Sequence, residues 1–506
     1  MATMLRENEE RRAAEMPAFF RGATRRRPAL PPAPFLVAGL GVAGRAAAEA
    51  LVARAGGSAV RVWDEAADPP QRARADGLRA LGVECLLGDD GRAALAGART
   101  VVKSPGVPWD APPVAEALRR GVPVVDELEI GWRLVPAPTV AVTGTNGKTT
   151  VAGLLVSVLA AHGLAPALTG NTAFGPPLSA LSLGPPPRSL VAEVSSYQAE
   201  ASPELAADAA IFTNLSNDHL NRHGTMAAYA YAKRALFVKG EWAVPVAALN
   251  VDDELGRELA GEVEERGGWV LRCGQGRDAD YRIADCRWDL RAAELTIEAP
   301  DGPVVLETTL PGVHNAANVT SVLALADGLG LPRERTLEAL ASAPPVPGRF
   351  ELVEVDRPFD VVVDFAYSVG AVSAVLRAAR AVATARGGRL IAVAAIVGRN
   401  GVDTGREVGA AARAGSDHLI LSGTSYRGEP RVPTLAALAA GARGVGGGTF
   451  ELVIDRREAI ARALAAAGPG DVVVVLGRGS TGWEATDARG GAYRLDDREA
   501  VRELAG

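Results

Sequence analysis

The chain has 506 residues, 48% of them hydrophobic, and a formal net charge of −6 at pH 7. This length predicts about three domains, and abundant Ala, Val, Leu and Gly suit α/β layers with large cores. The acidic balance argues against a nucleic-acid partner, whose binding surface would be basic. The three cysteines are odd in number and widely spaced, which favours neither a disulfide framework nor a zinc site.

No apolar run reaches the roughly 18 residues that a membrane span requires. Residues 1–33 are rich in Arg, Glu and Pro and lack the apolar core of a secretory signal. We expect a disordered tail there, or an over-extended start with Met16 as the true first residue. The sequence therefore predicts a cytoplasmic protein without a membrane partner, and we expect a monomer.

The first segment, residues 34–138, opens with a buried strand, a glycine loop and an alanine-rich helix. The loop contains three glycines, Gly39, Gly41 and Gly44. A second strand ends on Asp64, which is the spacing of a Rossmann fingerprint with its ribose-binding carboxylate. The glycines would equally serve close packing of strand on helix. Ser104 follows a third strand, at the sheet edge where ligands of such folds bind.

The second segment, residues 139–346, opens with an apolar strand, the loop TGTNGKTT at 143–150 and a helix. Such a loop points backbone N–H groups at phosphates, and the helix N-terminus adds partial positive charge. Lys148 can reach the phosphates and Thr149 can hold Mg²⁺. The chain has only four lysines, so a lysine kept here is one that arginine cannot replace. The alternative is a glycine turn before an ordinary helix.

Polar groups stand at the ends of two further strands of this segment, where Glu193 closes one and His219 follows the other. A third polar group, His314, Asn315 and Asn318, enters a long apolar helix. These are Mg²⁺-type and phosphate-type ligands, as expected at the carboxyl edge of a nucleotide-binding sheet.

The third segment, residues 347–506, follows a proline-rich linker and alternates strands with helices. The strands are predicted at 360–364, 389–396, 418–421 and 471–476. The predicted fold class is therefore α/β, with three domains that each contain a mainly parallel sheet flanked by helices. The first and third are Rossmann-like and the central one is a P-loop-type ATPase.

In their order along the chain, these motifs resemble the Mur ligase family, ATP-dependent enzymes that add amino acids to peptidoglycan precursors. The resemblance runs from residue 35 and is most specific in the central segment. A generic Walker A loop needs glycine five residues before its Gly-Lys pair, where this chain has Val142. The resemblance implies domains for a UDP-linked substrate at 34–138, for ATP at 139–346 and for an amino acid at 347–506.

The resemblance also implies the chemistry: ATP phosphorylates a carboxylate of the UDP-linked muramoyl substrate, and an amino acid's amine attacks the acyl phosphate. The implied catalytic residues are Lys148, Glu193, His219 and Lys233. The implied ATP contacts are Gly144, Thr145, Asn146, Gly147, Lys148, Thr149, Thr150, Asn315, Asn318, Arg349 and Asp364. The implied substrate contacts are Gly39, Gly41, Gly44, Asp64, Ser104, Asn171 and His314. Two Mg²⁺ ions would be held by Thr149, Glu193, His219 and Lys233.

Lys233 matches the lysine that family members carbamylate, which would turn a cation into a carboxylate-like metal ligand. Arginine cannot undergo this change, which gives a chemical reason for lysine in an arginine-rich chain. The alternative is an ordinary exposed helical lysine. Lys103 and Lys239 match no motif and are expected at the surface.

The two ends of the chain resemble different branches of the family. The glycine loop and the Ser-Pro-Gly segment at 104–106 resemble the MurD branch, which adds D-glutamate to UDP-N-acetylmuramoyl-L-alanine. The stretch 364–370 and Arg349 are closer to MurE-type and cyanophycin-synthetase-type ligases, with Tyr367 in place of their histidine; residues 423–427 replace the MurE diaminopimelate motif. We expect D-glutamate as the added amino acid. A different amino acid, a catalytically silent nucleotide-binding module and an NAD-dependent oxidoreductase are the alternatives.

Overall fold

The computed structural model describes residues 27–396, 402, 404–423, 431–480, 484–486 and 492–506. Most of the predicted tail, residues 1–26, lies outside the described residues. So do residues 424–427, which belong to the stretch that stands in place of the MurE diaminopimelate motif. Within the described part of the chain, three sheets carry the architecture, and helices cover both faces of each. The predicted α/β class with mainly parallel sheets is confirmed.

The N-terminal sheet is fully parallel, with the strand order β3-β2-β1-β4-β5. Its strands are β1 (Phe35–Ala38), β2 (Val60–Asp64), β3 (Glu84–Leu87), β4 (Thr100–Lys103) and β5 (Val124–Asp126). Its helices are α1 (Val42–Ala55), α2 (Pro69–Arg79), α3 (Pro112–Arg119) and α4 (Glu127–Leu134). All four residues of β1 are buried, which suits the centre of a sheet covered on both faces.

The central sheet has nine strands in the order β16-β15-β14-β13-β12-β9-β6-β8-β7. The first strands of this segment are β6 (Thr139–Thr143), β7 (Pro166–Gly170), β8 (Ser189–Glu193), β9 (Ala209–Phe212), the short pair β10 (Val238–Lys239) and β11 (Trp242–Ala243), and β12 (Val246–Asn250). The later ones are β13 (Trp269–Gly274), β14 (Tyr281–Trp288), β15 (Ala293–Ala299) and β16 (Gly302–Thr308). The seven strands β14, β13, β12, β9, β6, β8 and β7 pair in parallel, and β15 and β16 extend the sheet antiparallel beyond β14.

Seven helices belong to this segment: α5 (Lys148–Ala161), α6 (Ser196–Ala199), α7 (Leu220–His223), α8 (Met226–Arg234), α9 (Glu254–Glu265), α10 (Val313–Gly328) and α11 (Arg333–Ala341). One face of the sheet packs on α5 and α10, whose apolar side chains form the largest core with those of β6 and β8. The other face packs on α9 and α4, so a helix of the N-terminal segment covers the central sheet. That shared core holds the first two sheets side by side.

The C-terminal sheet has six strands in the order β17-β18-β22-β19-β20-β21, and only β17 runs antiparallel. Its strands are β17 (Glu351–Val353), β18 (Asp360–Asp364), β19 (Leu390–Ala394), β20 (His418–Ser422), β21 (Thr449–Val453) and β22 (Val472–Leu476). A separate hairpin joins β23 (Glu484–Thr486) and β24 (Ala492–Arg494). The helices are α12 (Val369–Ala385), α13 (Gly405–Gly415), α14 (Arg431–Arg443), α15 (Arg456–Ala466) and α16 (Asp497–Ala505).

Residues 27–33, which the sequence places in the tail, lie against the protein. The guanidinium of Arg27 donates to the carbonyl oxygen of Ala137 at 2.7 Å and stacks 4.2 Å from the ring centroid of Trp132. This segment therefore contacts the connection between the first two sheets. None of the helices in the described ranges is long and apolar enough to cross a membrane.

Candidate active site

The carboxyl ends of the three sheets open on one cavity of about 1620 Å³. A cavity at this edge is the expected ligand site of parallel α/β sheets. It is lined by the sequence-predicted residues Gly39, Gly41, Asp64, Ser104, Thr145, Asn146, Gly147, Lys148, Thr149, Thr150, Asn171, Glu193, His314, Asn315, Asn318, Arg349 and Asp364. Four predicted residues do not line it: Gly44, Gly144, His219 and Lys233.

The phosphate loop connects β6 to α5 in the strand–loop–helix arrangement that the sequence predicts. Gly147, directly before the helix, has a φ of 86°, a conformation that favours glycine. A side chain there would also meet the amide oxygen of Asn318, 2.6 Å from the position of its Cβ. The loop is therefore shaped to bring its backbone, and not a side chain, up to the ligand.

Two buried ammonium groups converge on one carbonyl of this loop. Lys148 donates to the carbonyl oxygens of Gly144 and Thr145 at 3.1 and 2.9 Å. Lys233 of α8 donates to the same Gly144 oxygen at 2.7 Å and is 1% exposed. Burial lowers the pKa of both lysines, and the positive charge of Lys148 lowers that of Lys233 further. The second charge makes the neutral amine of Lys233 easier to form.

Glu193, the last residue of β8, is 2% exposed and lies within the electrostatic reach of Lys148. Its Oε1 accepts a hydrogen bond from the amide of Asn171 at 3.4 Å, whereas the buried Oε2 has no hydrogen-bond partner among the residues that the structure describes. Burial raises the pKa of Glu193, and the charges of Lys148 and Arg349 oppose that rise. A buried carboxylate oxygen without a partner is a costly arrangement that a cation would compensate.

His219 lies in a left-handed backbone conformation with a φ of 55° at the start of α7. Its Nδ1 lies 3.1 Å from the hydroxyl of Tyr197, and its Nε2 lies 3.5 Å from a carboxylate oxygen of Asp218. Burial lowers the pKa of His219 to about 4; Asp218 raises it, and Lys148 and Lys233 lower it. The imidazole is therefore neutral at neutral pH, the form that binds metal ions. No cluster of three or more metal-ligating side chains occurs among the residues that the structure describes.

The C-terminal segment reaches the phosphate loop through Arg349 and Ser368. The guanidinium of Arg349 donates to the hydroxyl of Thr149 at 3.2 Å and lies over the ring of Phe365. The Ser368 hydroxyl donates to the side-chain oxygen of Asn146 at 3.1 Å. Asp364 lines the cavity, but both its carboxylate oxygens accept backbone N–H groups at 2.6 Å.

The start of α10 lies against the phosphate loop and forms a further part of the cavity wall. Asn318 donates to the side-chain oxygen of Asn315 at 3.1 Å, and Asn315 in turn donates to the carbonyl of Pro311 at 2.9 Å. His314 lies 5.6 Å from the ring of Phe350, and burial lowers its pKa to about 4. These groups are polar, uncharged at neutral pH and positioned by backbone contacts.

The glycine loop after β1 forms the N-terminal wall of the cavity. Asp64, at the end of β2, accepts the backbone N–H of Leu40 at 2.6 Å, which holds the loop against the neighbouring strand. The Ser104 hydroxyl donates to the carbonyl of Gly39 at 3.0 Å. The backbone of Gly44 approaches that same carbonyl and hydroxyl so closely that a side chain would overlap both.

Substituting Gly44→Ala should therefore force α1 away from the glycine loop. We expect a loss of about 1–3 kcal/mol in the free energy of unfolding, as for other overpacked positions. Chemical denaturation monitored by tryptophan fluorescence measures it. Gly41→Ala is the control, because a Cβ there meets nothing within 4 Å and the residue has a negative φ of −70°. Equal losses in the two variants would contradict the packing argument.

Sequence reasoning missed several residues around this site. Tyr197, Asp218 and Tyr229 surround His219 and Lys233, and the first two stand inside or beside predicted strand-end motifs. The prediction that Lys103 and Lys239 lie at the surface is wrong. Lys103 is 0% exposed, and Lys239 is half-buried with its ammonium bonded to two carbonyls. The scarcity of lysine in the sequence could have indicated a structural role for Lys103 and Lys239 too, since it applies to all four lysines.

Comparison with known proteins gives matches in the same order along the chain. Residues 33–126 match the Mur ligase MurD-like N-terminal domain, residues 142–326 the Mur ligase middle domain and residues 348–479 the Mur ligase glutamate ligase domain. The chain is 38% identical to the UDP-N-acetylmuramoylalanine–D-glutamate ligase of Prochlorococcus marinus, over 62% of this chain and 69% of that one. For the ligase of the same name from Alcanivorax borkumensis, identity is 32% over 87% and 92% of the two chains.

Two further matches come from other branches. The UDP-N-acetylmuramoyl-L-alanyl-D-glutamate–2,6-diaminopimelate ligase of Streptomyces coelicolor is 35% identical over 58% of each chain. The structure of the UDP-N-acetylmuramate–alanine ligase MurC from Thermotoga maritima superposes with a TM-score of 0.59 at 20% identity, covering 88% of this chain and 96% of that one. The latter likeness concerns the fold.

The phosphate loop, the three α/β units and their shared cavity define a nucleotide-dependent α/β enzyme. The matched segments and relatives then show that the chain belongs to the Mur ligase family. It is an ATP-dependent ligase that forms amide bonds.

Proposed function

We propose that this ligase joins D-glutamate to UDP-N-acetylmuramoyl-L-alanine through an acyl phosphate, a step of peptidoglycan precursor synthesis. The observation that carries the proposal is the common cavity, in which the glycine loop at 39–44, the phosphate loop at 143–150 and Arg349 face one another. The substrate has a UDP group at one end and a carboxylate at the other, and in this proposal the two ends lie at the glycine loop and at the phosphate loop. Relatives over most of the chain carry that activity in their names.

At the N-terminal wall, the glycine loop and the start of α1 would bind the UDP group. The N-cap residue Gly41 has no side chain to cap α1. The backbone N–H groups of the first turn of the helix can therefore face a diphosphate. Asp64, Ser104 and Asn171 would position the nucleoside and the sugar-linked part of the substrate. In this assignment the loop binds UDP and not NAD.

At the central wall, the backbone of residues 144–150 and the ammonium of Lys148 would bind the phosphates of ATP. Lys148 is placed to neutralise charge that develops on the transferred phosphoryl group. Arg349 would add a second cation beside Thr149, from the C-terminal segment. Asn315 and Asn318 would contact the nucleotide from α10, and Asp364 its ribose.

The residues present fit Mg²⁺ ions between the phosphates and the protein. The unpartnered Oε2 of Glu193, the neutral ring of His219 and the hydroxyl of Thr149 are oxygen and nitrogen ligands close to the phosphate loop. Bound Mg²⁺ would draw the substrate carboxylate and the phosphoryl group together and reduce their repulsion. Lys233 is the group that we propose to be carbamylated, because its lowered pKa makes the neutral amine available to CO₂.

The reaction then proceeds in two transfers. A carboxylate oxygen of the muramoyl-alanine attacks the γ-phosphorus of ATP and ADP leaves. The amine of the amino acid next attacks the carbonyl carbon of the acyl phosphate, inorganic phosphate leaves, and the amine loses a proton. Lys148 and Arg349 would neutralise the transferred phosphoryl group in the first step and the departing inorganic phosphate in the second.

A second candidate is ligation of a different amino acid, and it has its own support. Tyr367 lines the cavity at the position where MurE-type sequences resemble this chain but carry histidine. A diaminopimelate-adding relative also matches more than half of the chain. Burial raises the pKa of Tyr367 far above its ordinary range, so its hydroxyl is a neutral donor in the expected amino-acid region.

Ligation can be tested directly with the purified protein, ATP, Mg²⁺, UDP-N-acetylmuramoyl-L-alanine and a panel of amino acids. We expect ADP formation that depends on D-glutamate and a product heavier by one glutamyl residue, measured by coupled ADP assay and mass spectrometry. Product with diaminopimelate or lysine but not D-glutamate would select the second candidate. ADP formation that depends on none of the amino acids would refute the ligase assignment for these substrates. The cytoplasmic location and the monomeric state stay predictions.

A further inference from the structure

All four lysines of the chain bind main-chain carbonyl groups of loops. Lys148 and Lys233 bind the phosphate loop, and Lys239 donates to the carbonyls of Ser202 and Leu205 at 2.7 Å each. Lys103 follows the same pattern outside the catalytic residues. An ammonium offers three donors around one point, which suits carbonyls that converge.

Lys103 gathers the loop that carries Ser104. It ends β4 at 0% exposure, and its Nζ donates to the carbonyls of Ser104 at 3.2 Å and Val107 at 3.0 Å. The same loop is fixed to the glycine loop, since the Ser104 N–H bonds the carbonyl of Ala38 at 2.9 Å and its hydroxyl bonds that of Gly39. The ammonium therefore closes a turn whose outer side faces the cavity.

The far end of this turn is tied to the helices around His219. The indole N–H of Trp109 donates to Glu200 at 2.8 Å, and the guanidinium of Arg222 donates to the same carboxylate oxygen at 2.6 Å. Arg222 also donates to the carbonyl of Val107 at 3.4 Å and lies 5.1 Å above the ring of Tyr197, which contacts His219. One continuous set of contacts thus links the substrate wall to the catalytic histidine.

We propose that Lys103, with Glu200 and Arg222, is a positioning residue. It holds the loop 104–109 in the conformation that binds the UDP-linked substrate and at a fixed position relative to His219. The proposal rests on the proposed function in that the cavity's N-terminal wall binds this substrate. Lys103 touches neither substrate nor ATP; it acts through the carbonyls that it gathers. Loss of its ammonium frees three carbonyl groups, and the loop then loses the conformation that presents Ser104.

The test is Lys103→Met in the full-length enzyme, which keeps the length of the side chain and removes the ammonium. We expect the KM for UDP-N-acetylmuramoyl-L-alanine to rise about tenfold or more, while the KM for ATP stays within about twofold. Calorimetric titration of UDP alone, without ATP or amino acid, should show weaker binding by a similar factor. Because UDP binding is measured apart from ligation, failure of the proposed reaction can be distinguished from failure of this inference.

Lys239→Met is the matched control, because Lys239 also gathers two carbonyls, but they belong to Ser202 and Leu205, which do not line the cavity. It should lower the Tm and leave both KM values unchanged. Glu200→Ala tests the other end of the loop and should raise the KM for the UDP-linked substrate about threefold. Equal rises in the two KM values, or an unchanged KM for the UDP-linked substrate in folded Lys103→Met, would overturn the proposal. If Lys103→Met does not fold, an unchanged KM in Glu200→Ala overturns it.

Discussion

Lys233→Arg should abolish ligation although it keeps the positive charge. We expect the rate of ADP formation to fall by at least about a hundredfold, the range seen when one group that stabilises transferring charge is lost. The physical reason is that guanidinium stays protonated and cannot take up CO₂, so no carboxylate-like ligand can form at this position. Burial and the adjacent Lys148 favour the neutral amine of Lys233, whereas the same surroundings only penalise an arginine.

The proposed carbamate can be detected by a measurement that does not depend on activity. With ¹³C-labelled bicarbonate, the unsubstituted protein should show a carbamate carbon resonance by NMR that Lys233→Arg lacks. Lys239→Arg is the control, since that side chain bonds carbonyls outside the cavity and should remain active. A fully active Lys233→Arg enzyme would show that the carbamate is not required.

The parallel parts of the fold could be predicted because their strands are short, continuously apolar and followed by glycine or polar residues. β18 has the predicted bounds, Asp360–Asp364, and β2 ends at Asp64 as predicted. The antiparallel extension β14–β16 was not predicted, although β15 and β16 alternate buried and exposed residues along their length. Alternation of this kind is typical of a sheet with one face in solvent. A search for continuous apolar runs does not detect it, because every second residue is polar.

The site could be predicted where a residue's chemistry is tied to a strand end. Glu193, His219 and the phosphate loop belong to neighbouring strands β8, β9 and β6, so the sheet edge alone brings them together. Lys103 could not be placed in this way. Its role depends on the path of the following turn, which folds three carbonyls back onto one ammonium, and no local pattern in the sequence encodes that convergence.

The C-terminal side of the cavity is the part for which neither the sequence pattern nor the sheet topology selects a ligand. Asp364 was predicted as an ATP contact from the family resemblance, but its two oxygens also serve the local fold by accepting the N–H groups of Phe350 and Ala366. A ligand contact of Asp364 would therefore have to leave its hydrogen bonds to these two backbone N–H groups intact. Sequence motifs do not separate these two roles, because both require aspartate at the end of β18.

Glu193→Gln should lower activity and raise stability at once. The amide keeps the shape of the side chain but removes the charge that we propose to bind Mg²⁺, so ADP formation should fall by about a hundredfold or more. In the protein without ligands, the substitution also removes a buried carboxylate with an unpartnered oxygen. We expect the Tm at neutral pH to rise by about 2–4 °C. Scanning calorimetry and the coupled ADP assay measure the two effects.

The sign of the stability change follows from linkage. Burial raises the pKa of Glu193 above its ordinary value of 4.5, so ionisation weakens the native state as the pH rises through the raised pKa. The gain in Glu193→Gln should therefore vanish below that ordinary value, where both forms are neutral. Glu129→Gln provides the opposite case, because that buried carboxylate is paired with Arg133 at 2.6 Å and with the backbone of Glu204. It should lose stability and keep its activity. A loss of stability in Glu193→Gln at neutral pH would contradict the argument that the buried charge of Glu193 weakens the protein without ligands.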